Sequence, residues 1–125
     1  MAVQWQHADG PGNVTGSGQN GTPTLDFPRL TTGQLVQISV EFGLDPQGGA
    51  ISFEIIAGDG DAAPITPNRA TVSNKQHVFK HALFRVTKEA DPGVGVVEVP
   101  FEVNFTGGEG SWQDFTIIGQ AMSEH

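Results

Sequence analysis

The chain has 125 residues, no cysteine, 17 glycines and eight prolines, and a net charge of −8 from six cations against fourteen acids. That length suits one domain with a core of its own, and the missing cysteines exclude disulfides, thiol nucleophiles and thiolate metal sites. An acidic body disfavours polyanions as the main ligand, because phosphate binding draws on clustered Lys and Arg.

At the amino terminus, Met1 to His7 carries neither a basic region nor an apolar core of the secretory kind. No later run approaches the ~18 apolar residues of a membrane-spanning helix, so no membrane partner is expected. Residues 3–6 form a short strand candidate. Residues 10–21 (Gly-Pro-Gly-Asn-Val-Thr-Gly-Ser-Gly-Gln-Asn-Gly) read as a flexible arm or long loop.

Period-2 alternation follows. Residues 24–30 are a short strand. Residues 35–42 place Val36, Ile38, Val40 and Phe42 on one face against Gln37, Ser39 and Glu41, and residues 50–57 place Ile51, Phe53 and Ile55 against Ser52 and Glu54. In residues 94–105, Val97, Val99, Phe101, Val103 and Phe105 oppose Glu98, Glu102 and Asn104, and residues 112–120 are a further strand. Pro28 and Pro100 cannot donate to a ladder and mark edge positions or bulges. Asp45-Pro46-Gln47-Gly48-Gly49 and Gly107-Gly108-Glu109-Gly110 read as hairpin loops.

Residues 68–91 differ from everything around them. They run 24 residues without glycine or proline and hold five of the six cations: Arg69, Lys75, Lys80, Arg85 and Lys88. The piece 75–88 is +4 with no acid, which leaves −12 for the remainder. Two periods compete here. As a helix, Val78, Phe79, Ala82, Leu83 and Val86 form a stripe, Ser73 and Gln76 have capping-box spacing, and Phe84 falls on the polar side. As a strand, Val78, Ala82, Phe84 and Val86 share a face that Lys80 interrupts. The preferred expectation is a helix over about 73–89, and the domain 1–125 is expected to be a mainly β antiparallel sandwich or squat barrel of six or seven strands with that helix packed on it.

Candidate chemistry is sparse. Gly16–Gly21 and Gly58–Ala63 match dinucleotide glycine patterns but lack the strand–turn–helix setting that delivers a helix terminus to a pyrophosphate, so no cofactor is expected. Asp59 and Asp61 supply only two of the six to eight oxygens that calcium needs. His77 and His81 could share a metal on a helix, but on a strand they would stand ~13 Å apart. Glu98 and Glu102 read as solvated strand acids rather than a glycosidase pair. No catalytic residue, cofactor site or metal site is assigned, and the chain is expected not to be an enzyme. Asn13, Asn20 and Asn104 match glycosylation acceptors, which without a leader are read as accidents of composition.

The Gly/Asn/Thr-rich segment 10–21, the isolated basic window and the paired strands 94–105 and 112–120 together resemble virion building blocks, particularly phage tail-tube and capsid-decoration subunits. The resemblance lies in organisation along the whole chain, and no motif transfers a residue role. It implies a virion location, self-assembly as a homo-oligomer with other virion proteins, and, for a tail tube, an acidic lumen that repels DNA. Lys75, Lys80, Arg85 and Lys88 are the candidate subunit interface. Nucleic acid is not expected as a direct ligand. The alternative is a carbohydrate-binding or adhesive β-sandwich, which would display exposed aromatics on one face.

Overall fold

A computed structural model describes residues 2–122. The fold is all antiparallel β among these residues: β1 (Val3–Ala8), β2 (Gly12–Gly18), β3 (Leu25–Leu30), β4 (Leu35–Pro46), β5 (Ile51–Ala57), β6 (Ala62–Pro64), β7 (Arg69–Val72), β8 (Gln76–Val86) and β9 (Val97–Ala121), with a 3-10 turn at Gly58–Gly60. No helix among them is long and apolar enough to cross a membrane.

The 25-residue β9 is the spine. Its one edge pairs in succession with β1, β2 and β3, and its other edge with β4 and then β5. β8 flanks β4, β6 flanks β8, and β7 flanks β5. A straight strand of that length would reach roughly 80 Å, whereas a chain this size packs to a radius of gyration near 14 Å. The sheet must therefore curl. The pairing registers of β2 and β5 both slip around residues 105–109, which are the marks of β-bulges. Phe42 of β4, beside the carboxy-terminal half of β9, then meets Phe53 and Phe105 of the other half at 5.3 and 6.3 Å between ring centres. Phe84 of β8 meets Phe101 at 5.3 Å in the same way. The core lies between the two halves of one curled sheet.

The alternating segments took the faces their parity dictates. Val36, Ile38, Val40, Phe42, Ile51, Phe53, Ile55, Val99, Phe101, Val103 and Phe105 are all buried. Pro28 falls in the register break of β3, beside Arg29 at φ 59°, and Pro100 lies just past the end of β5, where β9 keeps only the β3 partner.

Three local expectations are corrected. Neither 45–49 nor 107–110 is a hairpin loop: β9 continues through 107–110, and β4 and β5 lie end to end along one edge of it, joined by a connection whose Gln47 and Gly48 amides donate to the Glu109 carbonyl at 2.9 and 3.2 Å. A Cβ on Gly110 would lie 2.1 Å from the Asp45 carbonyl oxygen, so the close approach of that connection excludes any side chain. Residues 10–21 are not a free arm: 12–18 are β2, and the Trp112 indole lies across Gly12, where a Cβ would sit 2.2 Å from a ring carbon. Trp112 is buried, and its Nε1 donates to the Asn20 carbonyl at 3.0 Å. The glycines admit a ring there.

The third correction is the helix over 73–89. These residues instead finish a turn and form β8, paired with β4 from Leu35↔Arg85 to Leu44↔Gln76. The buried set is Val78, Ala82, Phe84 and Val86, while Phe79 is 63% exposed. Phe84, the misfit of the helical reading, is wholly buried as a strand residue. A ten-residue ladder to a distant strand outweighs the weak local preference that a helix would have used.

Candidate functional site

The four basic residues of the candidate interface do not form one patch. β8 is roughly 33 Å long, with Lys75 in the turn before it and Lys88 beyond its other end. Lys75 borders, with Asp45, His77 and Gln113, an open groove of about 460 Å³. Lys80 stands opposite Val40, on the inward side of β8, where no further strand covers residues 76–82. An inward charge on a bare edge opposes pairing with another chain. Arg85 donates to the Gly33 carbonyl at 2.9 Å, and Lys88 reaches Asp61 at 3.5 Å and the Glu98 carbonyl at 3.4 Å.

The outward face of β1, β9, β4 and β8 is built differently. Cross-strand registers place His7, Thr116, Glu41 and Phe79 in one row, and Trp5, Ile118, Ser39 and His81 in the next. Val3, Gln120, Gln37 and Leu83 make the third. Partners directly opposite on a sheet share a face, so these side chains form a continuous surface. Trp5 is 64% exposed, with Val3 and Ile118 exposed beside it. Trp5 and Phe79 stand roughly 15 Å apart across the sheet, with polar Ser39, Glu41 and Thr116 between them. His77 contacts Glu41 at 2.7 Å, and the Phe79 and His81 rings lie 6.0 Å apart edge to face. β1 itself has no buried residue; its backbone pairing with β9 holds it.

At the end of β1 three donors converge. His7 Nε2 is 2.8 Å from Asp9 Oδ1, His7 Nδ1 is 2.8 Å from Thr116 Oγ1, and the Asp114 amide donates to the Asp9 carbonyl at 2.8 Å. One ligand atom each from His7, Asp9 and Asp114 lies within 4.8 Å of the others, a geometry able to hold a metal ion. Sequence reasoning missed this cluster because the register of β1 on β9 brings opposite ends of the chain together. His77 and His81 lie four residues apart on the same side of β8 and share no such centre among the described residues, and Asp61 is taken by Lys88.

Glu98 is exposed and Glu102 half-buried on the same parity of β9. Burial, and then the charge of Asp59, hold the Glu102 carboxyl above its ordinary range. No family model matches the chain, and no curated protein matches it in sequence.

Proposed function

We propose that the chain is a non-enzymatic structural subunit of a virion that assembles with copies of itself and with other virion proteins. The observation that carries the reading is the outer face at β1. Val3 and Trp5 of β1, a strand with no buried residue, and Ile118 opposite Trp5 on β9 are neighbouring large apolar residues exposed on one face, and contiguous apolar surface of this kind marks protein contact. Charge asymmetry supports it, since a +4 segment in a chain that is otherwise −12 lets unlike surfaces of two copies meet. With Arg85 and Lys88 engaged inside the subunit, Trp5 and its neighbours become the centre of the contact, and Lys75 is the cation best placed at a rim.

Light scattering on the native chain and on Trp5→Lys tests this. The native chain is expected to form a closed oligomer or tube, and the variant to lose mass while keeping its fold. A native chain that stays monomeric at high concentration overturns the proposal.

A second reading, a carbohydrate-binding face, is favoured by the placement of Trp5 and Phe79 on one surface with hydroxyl, carboxylate and amide groups between them. Sugar rings stack on exposed aromatic faces and take hydrogen bonds from such groups. Trp112 is buried, so a fluorescence change on adding polysaccharide would report Trp5. No change in that emission would exclude this reading.

A further inference from the structure

We propose that His7, Asp9 and Asp114 bind a first-row divalent cation that clips β1 to β9. The proposal is independent of the assembly reading. The chemistry of the donors comes first: one imidazole nitrogen and two carboxylates make a mixed nitrogen and oxygen set of the kind zinc accepts, with the remaining positions left to water. The hard ions calcium and magnesium prefer oxygen alone, so the imidazole selects against them.

The geometry is close to what such an ion needs. With bonds near 2.1 Å, donors around a tetrahedral ion stand roughly 3.4 Å apart. His7 Nε2 and Asp9 Oδ1, at 2.8 Å, are at the separation of a shared proton, and the third donor lies within 4.8 Å. A metal replaces the proton when the first pair opens slightly and the Asp114 carboxylate swings in. The Asp9 side chain, 88% exposed, is free to make that adjustment.

Two features outside the donor atoms prepare the site. Thr116 lies 2.8 Å from His7 Nδ1. With that nitrogen donating to the threonine, Nε2 offers its lone pair to an ion once the proton it shares with Asp9 is displaced, the arrangement by which metal-ligating histidines are oriented. The Asp114 amide, bonded to the Asp9 carbonyl, holds the two aspartate-bearing segments at fixed spacing. The charges are also uncompensated. Among the described residues, Asp9 has only His7 as an ion-pair partner, and Asp114 has no Lys or Arg within 4 Å.

The site also has a structural task. β1 fully buries none of its residues, so backbone pairing, the His7–Thr116 contact and the partly buried Ala8 are what keep it on the sheet. A cation bridging His7 and Asp9 at its end to Asp114 of β9 binds the folded arrangement and not the unfolded one, and so stabilises it by mass action.

The test is calorimetric titration of the chelator-treated full chain with zinc alone, alongside His7→Gln, Asp114→Asn and His77→Gln. Asparagine suits position 114 because it tolerates the φ of 52° found there. One ion per chain is expected, at unchanged molecular mass, with slower hydrogen exchange of the β1 amides. Binding should weaken by about tenfold or more in the first two variants and persist in His77→Gln. Absence of binding up to about 1 mM zinc overturns the proposal, as does binding that survives both site variants. Calcium binding as tight as zinc, or an ion shared between two copies, overturns it as well.

Discussion

Gly12 shows how one residue can carry both a composition and a contact. As part of a glycine-rich run it reads as slack chain, yet its missing side chain is the space the Trp112 ring fills. Gly12→Ala is therefore expected to destabilise the fold by about 1–3 kcal/mol, the usual cost of overpacking, seen as a lower urea midpoint with an unchanged slope. An alanine variant as stable as the native chain would mean that the ring does not depend on that space. Glu102 makes the opposite kind of prediction. Its folded carboxyl titrates above the ordinary range because burial, and then Asp59, oppose its charge. Between its ordinary and its raised value the folded state holds more protons than the unfolded one, so stability falls as pH rises through that window. Glu102→Gln should raise the urea midpoint at pH 7, and the gain should vanish as pH drops below the ordinary carboxylate range. A gain that persists unchanged into acid would assign the effect to something other than charge.

At the scale of elements, β8 separates two periodicities that the residues alone leave in competition. Phe79 and Phe84 exchange sides between them: a helix would bury Phe79 and expose Phe84, whereas the strand does the reverse. Phe84→Ala is expected to cost about 3–5 kcal/mol, because it removes a wholly buried ring packed edge-on against Phe101. Phe79→Ala should stay within about 0.5 kcal/mol in dilute solution. Denaturation of the two variants side by side checks the assignment, and equal losses would contradict it. The strand segments with clean alternation needed no such arbitration, since their inward Val, Ile and Phe alternate with mostly polar residues of the other parity. The 68–91 window was ambiguous for a physical reason: Lys80 spoils the strand pattern because its side chain stands at a bare sheet edge, where an inward cation can still reach water.

For the whole molecule, β9 decides the architecture, because every strand but β6 pairs with it or with a strand that does, and β6 follows through β8. Hydrogen exchange should follow that hierarchy. Amides of β9 on both sides of its bend should exchange at the global unfolding limit, and those of β1 much faster, since β1 has no fully buried residue. Uniform protection across both strands would show that β1 is held by more than its ladder. The sequence by itself determined the β class, the inward residues of the regular strands and the edge or bulge positions of Pro28 and Pro100, because these follow from side-chain parity and from backbone chemistry within a few residues. The tertiary structure was needed to show that 97–121 is one bent strand, that Gly10 and Gly12 receive a tryptophan, that 76–86 is a strand, and that Trp5 with Phe79, and His7 with Asp114, share their surfaces. Each of those depends on which distant backbone pairs with which, and a local pattern carries no information about its partner.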